Sequence, residues 1–221
     1  MIALVRYQFA ELGHSQRYLP PVLVHLGVLA VLSRANPGPV LPGYAVTAAS
    51  SLLVSGWLII ALAGISGPEQ RAVVAAHAGS FTRVLISMVL TVLACSAGLA
   101  VLAVGWGAVT HGAHVPPGTL ALGVLVHLIC SAFGIAVALP CSPLVIPRIG
   151  YTLVAAVVLL TVALLAKWVP LAFPLLFALG TDTAPPAVLA QAALTAVLLL
   201  VLTTAFTAWR QDFGMRTQST R

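Results

Sequence analysis

The sequence predicts an all-α membrane protein with six transmembrane helices and an N-terminal amphipathic helix. Of its 221 residues, 61% are hydrophobic and only 6% are charged, and the mean hydropathy is +1.10. A soluble domain carries about a quarter charged residues, so this composition cannot form a water-soluble surface. The apolar runs are continuous and do not alternate with period two. Because only helices and closed barrels satisfy every backbone polar group in lipid, we expect helices.

Six apolar runs approach the length of a membrane span. Roughly 20 residues at about 1.5 Å each cross a hydrocarbon core of about 30 Å. We place the spans at residues 19–34, 44–65, 84–108, 119–140, 149–166 and 187–209. The second span contains no charge. The first is short and begins with Pro20 and Pro21, so it needs tilt or local thinning of the bilayer.

Basic residues fall almost entirely on alternate connections between the six spans. Such residues mark the cytoplasmic side of a membrane protein, so we expect both termini in the cytoplasm and the chain in the cell (plasma) membrane. The rich side holds Arg6, Arg17, Arg71, Arg83, Arg148, Arg210, Arg216 and Arg221, whereas the other holds only Arg34 and Lys167. Because these charges are dispersed, the net charge of +6 does not predict nucleic-acid binding. Residues 19–209 then form the transmembrane domain and 210–221 a cytoplasmic tail.

Residues 1–18 are predicted to form an interfacial helix. At about 100° per residue, its apolar and polar side chains separate to two sides. The apolar side carries Ile2, Val5, Phe9 and Leu12, and the polar side carries Arg6, Glu11, His14 and Arg17. Such a helix lies in the headgroup layer of a bilayer. A solvated tail that is only partly helical is the alternative.

A second short helix is predicted on the cytoplasmic side, between the second and third spans. Ser66 is expected to cap its start, Pro68 suits the first turn, Glu69 favours the positive end of the helix dipole, and Gly79 ends it. An ordinary connecting loop is the alternative.

The order of these elements resembles the permease subunit of type-2 ABC exporters. The resemblance rests on the amphipathic entry helix, the six spans, the cytoplasmic segment from Glu69 to Arg83, and an apolar, proline-broken stretch at 167–180. In that family the second connection begins with an acidic residue and ends in a Ser-x-x-Arg-like step. Glu69 and the Ser80-Phe-Thr-Arg83 sequence stand in those places. The composition, rich in Ala, Val and Leu with arginine far exceeding lysine, is typical of a GC-rich bacterial genome.

The resemblance implies that the helix near 67–80 couples the membrane helices to a separate ATP-binding cassette subunit. Two copies of that subunit would bind ATP and Mg, and a second permease copy, identical or related, would complete the transporter. The residues implied for coupling are Glu69, Gln70, Arg71 and His77. This chain has no G-x-x-x-x-G-K-[ST] loop, so we expect no cofactor in it and no enzymatic activity of its own.

The second span carries a mildly polar stripe that is a candidate substrate path. Its hydroxyl residues are Thr47, Ser50, Ser51 and Ser55, of which we assign Thr47, Ser51 and Ser55 to the path. Spans without charges favour a hydrophobic or amphipathic cargo, such as a drug, a lipid or a lipophilic peptide. Hydrogen bonds from these hydroxyls to carbonyls of their own helix are the alternative.

Other polar and small residues favour structural roles. His25 and His127 are expected to bond a neighbouring helix, and His111 and His114 lack further metal ligands nearby. Small residues of the third span are expected to allow close helix contacts: Ala94, Ser96, Gly98, Gly105 and Gly107. The motifs of membrane zinc proteases are missing, and no span carries the carboxylates of phosphatidyl transferases or ion-driven carriers. The alternative function is a non-transporting regulatory or assembly subunit.

Overall fold

The computed structural model describes residues 1–34, 39–110, 115–146, 148–165, 167 and 172–218, and this part of the chain is all-helical, as predicted. The α-helices are α1 (Ile2–Ser15), α2 (Leu19–Arg34), α3 (Val40–Ala63), α4 (Pro68–Ala78), α5 (Phe81–Thr110), α6 (Pro117–Ala138), α7 (Ile149–Leu165), α8 (Phe173–Gly180) and α9 (Pro186–Gln218). A 3₁₀ turn, Leu139–Cys141, extends α6.

Four of the described helices are long and apolar enough to cross a membrane. They are α3, α5, α6 with its 3₁₀ extension, and α9 as far as Gln211. The predicted spans at 19–34 and 149–166 are also helices, but α2 has only 16 residues and α7 only 17. At about 1.5 Å per residue both fall short of a hydrocarbon core of about 30 Å. Helix α9 continues past Trp209, through most of the predicted tail.

The helices α3 and α6 form the centre of the bundle. Helix α3 packs against α2, α5, α6, α7 and α8, and α6 also packs against α5, α7 and α9. Helices α1 and α4 both pack against α5. The chain therefore surrounds its central helix pair with the remaining apolar helices.

Two apolar clusters divide the bundle along its length. One cluster joins the end of α3 to the start of α5. It also contains Leu12 of α1, Ala75 of α4, Ala208 of α9, and Leu144, which follows the 3₁₀ turn. The other joins the start of α3 to the middle of α6, and contains Leu175 and Leu179 of α8. Helices α1 and α4 thus lie at one end, called here the α1/α4 end, and α8 lies at the opposite end. Several arginines of the rich side lie at this end: Arg6 in α1, Arg17 after it, Arg71 in α4, Arg83 at the start of α5, and Arg210, which closely follows Ala208 of the same cluster.

The central pair α3 and α6 cross at very short range. The Ser55 hydroxyl donates a hydrogen bond to the Ser131 carbonyl (3.0 Å). A β-carbon at Gly134 would overlap both the Leu52 carbonyl oxygen and the Ser55 hydroxyl oxygen, and one at Gly56 would lie 3.2 Å from the Gly134 carbonyl oxygen. Only glycine at position 134 permits this approach.

The expectation of close contacts through the third span was wrong for two of its glycines. In α5, a β-carbon at Gly98 or Gly105 would meet none of the described residues beyond that helix within 4 Å. Gly107 does make a close contact, since its β-carbon would lie 3.2 Å from the Tyr44 ring. Close approach is concentrated on α6 because that helix, and not α5, packs most extensively on α3.

Helix α8 forms within the apolar, proline-broken stretch before the last long helix. Pro174 lies in its first turn, where a missing N–H costs little. Leu175 and Leu179 are buried against α3. Pro170 lies outside the described residues.

Candidate functional site

The predicted short helix between the second and third spans is confirmed as α4. Glu69 lies in its first turn, and Gly79 ends it in the left-handed conformation (φ 78°), which glycine adopts without strain. The predicted cap was wrong. Gly67 occupies the N-cap position, and the Ser66 hydroxyl instead donates to Glu11 Oε1 of α1 (2.5 Å). Because α4 starts one residue later than expected, Ser66 lies before the N-cap position, and its hydroxyl bonds a neighbouring helix.

Polar contacts fasten α1 to α4 and to the connection that precedes it. Gln70 Nε2 donates to the Tyr7 hydroxyl (3.0 Å) and to Glu11 Oε1 (3.5 Å). Arg17 Nη1 donates to the Gly64 carbonyl (3.0 Å). Together with the Ser66 contact, these bonds make α1 and α4 one connected surface.

Of the four residues implied for coupling, two have side chains on one exposed face of α4, one donates hydrogen bonds to α1, and one is half-buried. Glu69 and His77 are exposed and lie on one face, with the exposed Val73 between them. Gln70 is also exposed, but its side chain donates hydrogen bonds to Tyr7 and Glu11 of α1. Arg71 is half-buried, and its Nε donates to the Gly67 carbonyl (3.4 Å). Burial lowers the pKa of the Arg71 guanidinium from its usual value, but an arginine remains charged at neutral pH.

The contacts of α4 with α1 could not be read from the sequence. Tyr7, Glu11 and Ser66 were not assigned to this site, although Glu11 was predicted on the polar side of α1. Val73 was missed because an apolar residue on a short helix gives no signal of exposure. Arg83 of α5 completes the end of α4, since its Nη1 donates to the Ala78 carbonyl (3.1 Å).

The hydroxyls of the second span lie in the interior of the bundle. Thr47, Ser50, Ser51 and Ser55 are all buried. Ser50 and Ser51 donate to the Thr47 carbonyl (2.7 and 3.1 Å), and Ser55 also donates to the Leu52 carbonyl of its own helix (3.0 Å). This geometry fits the structural alternative. The assignment of Thr47, Ser51 and Ser55 to a substrate path stays a prediction.

Helix α3 retains one exposed edge, formed by Val46, Leu53 and Trp57. At 3.6 residues per turn, Ser51 and Ser55 lie on the side of the helix away from this edge. A path lined by those two hydroxyls would therefore have to run inside one chain and not along the exposed edge of α3.

Two fully buried histidines tie neighbouring helices to α3. His127 Nδ1 donates to the Gly123 carbonyl (2.7 Å), and its Nε2 is 2.9 Å from Thr47 Oγ1. A carbonyl only accepts, so the neutral His127 ring carries its hydrogen on Nδ1 and accepts the Thr47 hydroxyl at Nε2. His25 Nδ1 of α2 bonds the Ser50 hydroxyl (2.7 Å). Both histidines thus make the contacts that were expected of them.

The two histidines considered as metal ligands in the sequence, His111 and His114, lie outside the described residues. Within the described part, no group of three or more His, Cys, Asp or Glu side chains is arranged to hold a metal ion.

The fold and the geometry define an all-α protein with four helices able to cross a membrane and a polar surface at one end. No protein-family model, curated protein or solved structure matches this chain.

Proposed function

We propose that this chain is the transmembrane permease subunit of an ATP-driven exporter, which moves a hydrophobic or amphipathic substrate out of the cell. The observation that carries the proposal is α4, a short helix at the end of the bundle that exposes Glu69, Val73 and His77 along one face. The type-2 ABC permease pattern has its coupling helix at this point of the chain.

The proposed membrane arrangement has six passes, with both termini in the cytoplasm. Helices α2 and α7 would complete the set through tilt or local thinning of the bilayer, at a modest cost per ångström of mismatch. Helix α1 would lie along the headgroup layer. This arrangement puts the arginine-rich α1/α4 end on the cytoplasmic side.

The packing of α4 supports a coupling role. Its inner side contributes Ala75 to the apolar cluster that also contains the end of α3 and the start of α5. Its C-terminal end is bonded to Arg83, at the start of α5. A displacement of α4 by an ATPase subunit would therefore reach α5 and α3 through direct contacts, because packed elements move together.

The proposed partners are two ATP-binding cassette subunits, which supply ATP and Mg binding, and a second permease copy. The exposed edge of α3 and the exposed apolar faces of α2, α5, α7 and α9 are surfaces available to that copy or to lipid. Thr47, Ser51 and Ser55 remain the proposed substrate path, now within one chain.

Replacing both Glu69 and His77 by alanine is expected to reduce coupled ATP hydrolysis of the purified complex by at least tenfold. Each central contact of a docking surface contributes about 1–2 kcal/mol, and about 1.4 kcal/mol is tenfold in affinity. The measurement is ATP turnover together with recovery of the ATPase subunit on the tagged permease.

Gln191→Ala is the matched control, because Gln191 is an exposed polar residue at the opposite end of the bundle. Unchanged turnover and unchanged recovery in the double variant would contradict the docking role of α4. A stable complex without any nucleotide-binding protein would favour a regulatory or assembly subunit.

A further inference from the structure

The outward face of α1 differs from the apolar side that the sequence pattern suggests. Leu4, Gln8, Glu11 and Leu12 turn toward the bundle, and Gln8 and Leu12 are buried. The opposite arc of the helix is exposed. It consists of Ile2, Ala3, Arg6, Tyr7, Phe9, Ala10, Gly13 and His14.

One edge of this exposed arc is apolar. The side chains of Ile2 and Phe9 are 81% and 40% exposed, and their spacing of seven residues puts them on the same edge of the helix. Large apolar side chains are unfavourable in water, whereas amphipathic helices bury such residues at the boundary between headgroups and acyl chains. The apolar helix α2 begins only a few residues after α1, so in the proposed membrane arrangement this edge would lie beside the bilayer.

The rest of the exposed arc carries no acidic side chain. Arg6 and His14 lie on it, and the exposed Arg17 follows directly. Glu11, the sole acidic residue of α1, is turned away. Its Oε1 accepts hydrogen bonds from Ser66 and Gln70, and its Oε2 is buried. The contacts with α4 therefore remove the one negative charge from the outward face.

We propose that the outward face of α1 binds the headgroups of anionic phospholipids in the leaflet at the α1/α4 end. Ile2 and Phe9 enter the boundary of the acyl chains, and the Arg6 guanidinium contacts lipid phosphates, with which arginine forms paired hydrogen bonds. Because α1 is bonded to Gln70 of α4 and to Ser66 just before it, acidic lipid also steadies the surface of α4. The lipid site itself does not depend on the exporter assignment.

The proposal is tested with the full chain alone in lipid nanodiscs, without any ATPase. Cys95, Cys130 and Cys141 are replaced, and a bimane fluorophore is attached to Ala10→Cys, which lies on the exposed arc between Arg6 and His14. Quenching by brominated phosphatidylglycerol and by brominated phosphatidylcholine gives the relative association constant of the two lipids beside α1.

We expect phosphatidylglycerol to be preferred at least about fivefold, because one basic residue near an anionic surface contributes about 1 kcal/mol. Arg6→Gln should bring the preference close to one, and added salt should reduce it in the unsubstituted chain. Arg34→Gln, which removes an exposed arginine from the other end of α2, should leave the preference unchanged.

Three results would overturn the proposal. They are equal quenching by the two lipids in the unsubstituted chain, an undiminished preference in Arg6→Gln, and a fluorophore that neither lipid quenches. The last result would mean that this face meets solvent or a protein partner.

Discussion

Gly134→Ala is expected to destabilise the protein by at least about 1–3 kcal/mol, the usual cost of inserting a group into a well-packed core. The added β-carbon would overlap the Leu52 carbonyl oxygen, which belongs to the backbone and cannot rotate away. Relief requires α3 and α6 to separate, and these two helices hold the centre of the bundle. The Ser55–Ser131 hydrogen bond would be lost with that movement.

The effect is measured as the midpoint of thermal unfolding in detergent, monitored by the loss of soluble monodisperse protein as the temperature rises. Gly98→Ala is the matched control, since Gly98 is also within a long helix but a β-carbon there would meet no atom of the described chain beyond that helix within 4 Å. Alanine is the better helix former by about 1 kcal/mol, so the control should be neutral or slightly more stable. Equal unfolding midpoints for the two variants would refute the close crossing of α3 and α6.

His127→Ala is expected to cost about 2–5 kcal/mol, as large-to-small substitutions in a core do. The change leaves a cavity beside Tyr44, whose ring packs edge-on against the imidazole (centroids 6.1 Å apart). It also removes the hydrogen bond between α6 and Thr47 of α3. Helix-to-helix hydrogen bonds in membranes contribute about 0.6 kcal/mol on average, so most of the loss comes from packing.

The same unfolding measurement compares His127→Ala with His77→Ala, in which the exposed histidine of α4 is removed. A double-mutant cycle with Thr47→Val isolates the hydrogen bond, because the Thr47 change should cost less once His127 is absent. If His127→Ala were no more destabilising than His77→Ala, the role of His127 as a tie between α6 and α3 would be wrong.

Local composition predicted the helical elements well. Hydropathy over about 20 residues is a property of one segment, and each predicted span coincides with a helix in the described part of the chain. The end of α4 was predicted because a glycine after a helical segment is a local signal in the sequence. Gly79 adopts the left-handed conformation there, as glycine does at many helix ends. The helices α2 and α7 are apolar but shorter than the other four, so their crossing of the membrane stays a prediction.

Contacts between segments distant in the chain were not predictable from patterns. Ser66 was expected to cap α4, but it precedes the N-cap Gly67, and its hydroxyl donates to Glu11 of α1. Gly98 and Gly134 look alike in sequence, but only the rotation of each helix toward its neighbour decides which one is indispensable. The rotation of α1 likewise decides which of its apolar side chains are buried: Leu12 packs inward, whereas Phe9 is exposed.

Labelling of single cysteines tests most directly whether the α1/α4 end is the cytoplasmic docking end of an exporter permease. With the three native cysteines replaced, a membrane-impermeant maleimide should label Gly112→Cys in intact cells. It should label Ala76→Cys of α4 and Ser219→Cys only in inverted membrane vesicles, because the arginine-rich side is expected to be cytoplasmic. Labelling of position 76 or 219 from outside intact cells would contradict the account, since an outward-facing α4 cannot meet a cytoplasmic ATPase.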